Sequence, residues 1–143
     1  MEDFSKKPNR ILFFSRYALN VLNGNYPGGK EKQKAIIATE LSKRGYRITL
    51  LDYAGKSSSQ QVGDIKVINI DKNKGIKGLR FFTHYLPSIY RTLKMENPEI
   101  IYVRGQGIIF GIVAYFAKKL GIRLIWSLAH DRNADSKLQT YRK

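Results

Sequence analysis

The chain has 143 residues, 43% of them hydrophobic and 26% charged, which suits one soluble globular domain and excludes both a disordered chain and two separate cores. It has no cysteine, so disulfides and thiolate metal sites are excluded, a composition that fits a reducing compartment. Lys plus Arg number 26 against 11 Asp plus Glu, and a net charge of +15 is either a solvated basic surface or an attractor of polyanions such as nucleic acid, anionic lipid or phosphorylated small molecules.

Residues 1–9 read as a polar tail with no apolar stretch of the kind a secretion signal needs. The run Ile11-Leu12-Phe13-Phe14 predicts a strand buried on both faces. A long loop is expected from Arg16 to Gly29, then a helix over Lys30–Lys43 with Ile37, Ala38 and Leu41 inward and Gly45 as its stop. Arg47–Leu51 predicts a second strand, Ala54–Gly63 a loop, and Ile65–Ile70 a third strand. Gly75–Met95 predicts a helix broken near Pro87. Ile100–Val103 is a fourth strand, Ile108–Leu120 a helix stopped by Gly121, and Arg123–Ser127 a fifth strand. The apolar run Gly107–Ala117 falls short of the roughly 18 residues needed to span a bilayer. Strands alternating with helices predict an α/β domain over residues 10–135, a Rossmann-like doubly wound parallel sheet, followed by a polar tail over 136–143.

Open parallel sheets bind ligands beyond the carboxyl ends of their strands, which selects three segments. After strand one, Gly28 and Gly29 permit close backbone approach and positive φ, the following helix start favours an anion, and Lys30 adds charge. The same Gly-Gly pair also reads as a plain turn, and neither a dinucleotide fingerprint nor a phosphate-binding Walker loop is present. After strand four, Arg104 offers a forked donor to carboxylate or phosphate, flanked by Gly105 and Gly107; an exposed arginine in an ordinary turn is the other reading. After strand five, His130 can polarise a hydroxyl and Asp131 can orient the imidazole or accept from a sugar; a structural histidine is the alternative. Two histidines and no cysteine make no metal site expected.

The segment from Lys72 to Met95 carries Lys72, Lys74, Lys77, Arg80, Arg91 and Lys94 and no acid. On a helix, Ile76, Leu79, Phe82, Leu86, Ile89 and Leu93 form an inward stripe. Lys77, His84 and Arg91 then recur at intervals of seven on another side, with Phe81 and Tyr85 beside them. Such a face suits an anionic membrane surface; RNA is a lesser expectation, and a solvated face the plain one.

Taken in order, Ile11–Phe14, Pro27-Gly28-Gly29-Lys30-Glu31 and Leu41-Ser42-Lys43-Arg44-Gly45-Tyr46-Arg47-Ile48-Thr49-Leu50 resemble the opening of family-4-type retaining glycosyltransferases of GT-B fold. Asn97-Pro98-Glu99-Ile100-Ile101-Tyr102-Val103-Arg104 is similar to their lead-in to strand four, and Trp126-Ser127-Leu128-Ala129-His130-Asp131 to their strand-five exit. The resemblance implies the acceptor-side half of an enzyme that moves a sugar from a nucleotide-sugar to a lipid-linked or glycan acceptor, in the cytoplasm, peripheral on the inner face of the membrane. By the same resemblance Gly28 and Gly29 face the donor diphosphate and His130 lies near the transferred sugar, with Asp131 and Arg104 as further contacts. The family's Glu-x7-Glu element belongs to a second, donor-binding domain. The chain ends before one, so a truncated gene product, an excised piece or one subunit of a split enzyme is expected, inactive without that half. The rival expectations are a non-catalytic Rossmann-like module binding nucleotide, RNA or an anionic membrane, and an inactive fragment.

Overall fold

The computed structural model describes residues 9–25, 28–53, 56–71, 73–105 and 107–127. Strand β1 (Arg10–Ser15) has its last five residues buried, as an apolar run in the middle of a sheet must. It lies between β2 (Arg47–Asp52) and β5 (Ile100–Arg104), parallel to both. Beyond β2 comes β4 (Ile65–Asn69) and then β3 (Ser58–Val62); beyond β5 comes β6 (Arg123–Ser127). Among the described strands only β3 runs antiparallel, at an edge.

The alternation of side chains along β1 divides the core in two. Leu12 and Phe14 join Leu51, Ile101 and Val103 under helices α3 (Leu86–Glu96) and α4 (Ile108–Leu120), which contribute Ile89, Leu93, Phe110 and Val113. Ile11 and Phe13 join Ile48, Leu50 and Val67 on the other face, under α1 (Ala18–Leu22) and α2 (Gly29–Lys43) with Ala18 and Ala38. Helices on both faces of a mostly parallel sheet make the doubly wound, Rossmann-like α/β architecture expected from the sequence. Chain order turns back between β1 and β5, which creates a crevice at their carboxyl ends.

Helix stops follow local chemistry. Gly45 adopts φ 86° after α2, where Gly45 N–H reaches Ser42 O and Tyr46 N–H reaches Leu41 O, the paired closure of a Schellman turn.

Three expectations are corrected. The Arg16–Gly29 segment contains α1, and the Ala54–Gly63 segment contains β3. β3 turns into β4 through the two-residue loop Gly63-Asp64, with Gly63 at φ 59° as a two-residue hairpin requires. The helix expected from Gly75 begins only near Phe81, with a π-helical turn over Phe81–Tyr85 that leads directly into α3. Pro87 sits at the start of α3 directly after the π-helical turn, so the helix type changes beside it while the chain stays helical through it. Lys77 lies before the helix, so the interval of seven linking it to His84 and Arg91 has no structural meaning.

Candidate functional site

The carboxyl ends of β1 and β5 are held by different means. At β1, Ser15 Oγ donates to Glu31 Oε2 at 2.7 Å, and Lys34 Nζ donates to Glu31 Oε1 at 2.9 Å and to Phe14 O at 3.0 Å. This ties the first turn of α2 to the end of the strand. Only 4% of the Lys34 side chain is exposed, and burial pulls its pKa below 10.5 against the opposing pull of Glu31. The Arg104 charge lowers it further, though least of the causes.

Gly28 caps α2 with φ −178°, and neither Gly28 nor Gly29 adopts the positive φ that a glycine permits. A methyl group added at either would meet nothing within 4 Å among the described residues. The helix start thus presents bare backbone to open space. Among the described residues the first helical N–H to find an acceptor is that of Lys32, on Gly28 O at 3.1 Å, and the earlier ones form the amino end of the helix dipole. Lys30 is exposed beside them. Glu31 already brings a carboxylate to this end, but Lys34 neutralises it.

At β5, Arg104 Nη1 donates to Ser127 Oγ at 3.3 Å, and its Nε is buried with no acceptor among the described residues. Gly105 follows at φ 124°, and a Cβ there would stand 3.3 Å from the Phe110 ring, so this glycine is demanded by the fold. Trp126 Nε1 donates to Gly105 O at 2.7 Å and closes the turn from β6. The switch point between β1 and β5 is therefore flanked by the α2 start on one side and by Arg104 and Gly105 on the other.

At β2, Asp52 stands where dinucleotide-binding folds place an acid for a ribose hydroxyl. Here it is buried, and its Oδ2 accepts from Ala18 N–H at 2.7 Å, which anchors the start of α1. Tyr17, just before α1, is held at φ 56°. The Arg16 guanidinium lies 5.7 Å from the Tyr17 ring centre and 5.4 Å from that of Tyr53. Burial pushes the Tyr53 phenol up to about 12 and raises Tyr85 as well, and Tyr85 Oη donates to Tyr53 O. A hollow of about 330 Å³ lies here, lined by Tyr17, Asn20, Asp52, Lys56 and Asn69 among others.

A larger hollow of about 630 Å³ opens at the opposite, amino edge of the sheet, bordered by Arg10, Arg47, Lys66 and Glu96. Two of its cations are already engaged, Lys66 with Glu96 at 2.6 Å and Arg10 with Glu99 at 3.3 Å. Size alone does not make it the site; the start of α2 and Arg104, with its buried Nε lacking an acceptor among the described residues, are at the carboxyl edge.

Of the residues singled out from sequence, Gly28, Gly29, Lys30 and Arg104 fall at that edge. Lys72, His130 and Asp131 lie outside the described residues. Lys74, Lys77, Arg91 and Lys94 are exposed, while Arg80 and Phe81 are half-buried. The expected inward stripe holds for Ile89 and Leu93 but fails at Ile76, Leu79 and Phe82, which are 62%, 52% and 66% exposed. No group of three His, Cys, Asp or Glu side chains fit to hold a metal occurs among the described residues, and none of the described helices is long and apolar enough to cross a membrane. Sequence reasoning missed Ser15, Glu31 and Lys34. The signal was Lys34 itself, a charged residue four and seven positions before Ala38 and Leu41 on the inward stripe of α2.

No protein-family model matches the chain, and no curated protein matches it.

Proposed function

We propose that this chain is the acceptor-side half of a GT-B glycosyltransferase, working with a donor-binding domain supplied elsewhere. The observation that supports this best is the reversal of strand order between β1 and β5, which brings the start of α2 and Arg104 to the same edge of the sheet. Backbone N–H groups at a helix start and a forked cation suit a diphosphate or sugar phosphate. In this reading the amides around Gly28 and Gly29, with Lys30, stabilise charge on the departing nucleotide diphosphate. Arg104 holds a phosphate or hydroxyl of the acceptor, and the Glu31–Lys34 pair keeps the helix start in place. His130 near the transferred sugar, with Asp131 beside it, follows from the family resemblance. The nucleotide-sugar is a co-substrate, the acceptor a lipid-linked or glycan hydroxyl, and the place of action the cytoplasmic side of a membrane. Asp52, turned to α1, makes dinucleotide binding the poorer reading.

Trp126 reports on this site through its bond to Gly105 O. Titration with UDP-glucose, GDP-mannose and glucose 1-phosphate is expected to change its fluorescence saturably for at least one of them. Arg104→Ala is expected to weaken that response about tenfold or more, the loss of a charge-assisted hydrogen bond. No response to any sugar phosphate, alongside saturable binding of free nucleotide or RNA, would favour a non-catalytic module instead.

A further inference from the structure

The turn-rich segment before α3 carries a feature that the sheet-edge site does not use. Leu79 N–H reaches Ile76 O at 2.9 Å, closing a β-turn with Gly78 at φ 85°, and Phe82 N–H reaches Leu79 O at 3.0 Å in a second turn. Ile76 and Phe82 stand at the outer ends of these turns and Leu79 at their junction, three large apolar side chains within seven residues. All three are more than half exposed, a concentration of large apolar surface that single scattered residues do not make. The segment is fixed at its base. Gly75 (φ 99°) packs so closely on the π-helical turn that a Cβ there would lie 2.8 Å from His84 Cβ. Lys74, Lys77 and Arg80 alternate with the apolar residues, and no acid occurs from residue 72 to 95. Because Tyr85 is bonded to Tyr53 O at the end of β2, the segment sits at the carboxyl edge of the sheet.

We infer that Ile76, Leu79 and Phe82 form a wedge that enters an anionic lipid bilayer, with Lys74, Lys77 and Arg80 at the level of the headgroups. Charge selects the occupant. A second copy of a chain carrying +15 is repelled, and an RNA backbone takes the cations but has no use for the aliphatic Ile76 and Leu79. A bilayer with acidic headgroups satisfies both sets of residues at once. The inference does not depend on the sugar-transfer reading, but it sets the bilayer at the edge where that reading places the acceptor.

The test is co-sedimentation of the whole chain with vesicles of phosphatidylcholine containing phosphatidylglycerol, against pure phosphatidylcholine and a single-stranded RNA oligonucleotide. Binding to the anionic vesicles is expected, with each of Leu79→Ser and Phe82→Ser weakening it about tenfold and Lys77→Ser about fivefold. Both apolar residues are exposed, so circular dichroism should be unchanged. In a Phe82→Trp variant, fluorescence in excess of the wild type should shift to the blue on vesicles and be quenched by brominated acyl chains. Absence of vesicle binding at low salt overturns the inference. So does binding indifferent to Leu79→Ser and Phe82→Ser, a Phe82→Trp signal untouched by brominated lipid, or tighter binding to RNA than to vesicles.

Discussion

The buried Lys34 shows how one residue joins fold to site. It reaches both Glu31 and the Phe14 carbonyl of β1, so Lys34→Ala leaves a carboxylate and a carbonyl without their cation. A loss of roughly 3 kcal/mol in urea unfolding is expected, and the pair replacement Lys34→Met with Glu31→Leu should recover most of it. The glycines divide in the same way. Gly29→Ala should leave stability unchanged or raise it by up to about 1 kcal/mol, since no atom opposes a Cβ and alanine favours a helix. Gly105→Ala should cost about 2 kcal/mol, from its φ of 124° and the Phe110 ring. Thermal or urea midpoints of the two variants check this directly, and equal losses would contradict it. Tyr53 adds a pH signature. Its folded pKa of about 12 lies above the ordinary 10.0, so its contribution is complete below pH 10.0 and is lost as pH rises toward 12. Lys34 runs the opposite way, its lowered folded pKa adding stability as pH climbs toward 10.5. Subtracting Tyr53→Phe from wild type isolates the tyrosine, and the difference in urea midpoint should shrink across that alkaline window. Gly28, Gly29 and Arg104 were legible as candidates at the carboxyl edge because they come after strands whose apolar runs are unmistakable. Lys34 was not, because the sequence shows its charge and position on the stripe but not the carbonyl and carboxylate that receive it.

At the scale of elements, legibility followed hydrophobic contrast. β1 reads as a strand because Ile11–Phe14 is apolar without interruption, and it became the buried centre of the sheet. β3 is Ser-Ser-Gln-Gln-Val, exposed along most of its length and held at an edge by β4 alone among the described strands. It has no alternation to read; its one signal was Gly63-Asp64 between Val62 and Ile65, a two-residue hairpin loop. The π-helical turn was hidden for another reason. Ile76, Leu79 and Phe82 continue the three-and-four spacing of α3, but spacing does not say where a helix starts or which side meets the core. Hydrogen exchange orders these elements by stability. Amides of β3 should exchange first and those of β1 last, because exchange at an exposed edge needs only local opening. Protection in Ser58–Val62 equal to that in Ile11–Phe14 would contradict the edge assignment.

For the whole molecule, the strand order joins the parts. Five parallel strands and a reversal between β1 and β5 put the α2 start and the β5–α4 turn at one edge, although 75 residues separate Gly29 from Arg104 (104 − 29). The Rossmann-like class was readable from alternating strands and helices; the neighbours of β1 were not, since parallel pairing is decided by crossovers and leaves no local mark. The central claim is that ligands enter at this carboxyl edge and not at the larger amino-edge hollow. The most direct measurement is a two-dimensional amide NMR titration of the isotope-labelled chain with pyrophosphate and then UDP-glucose. The account predicts shifts concentrated at Gly29, Lys30, Glu31, Gly105 and the Trp126 indole. Shifts concentrated instead at Arg47, Thr49, Gln61 and Lys66 would contradict it.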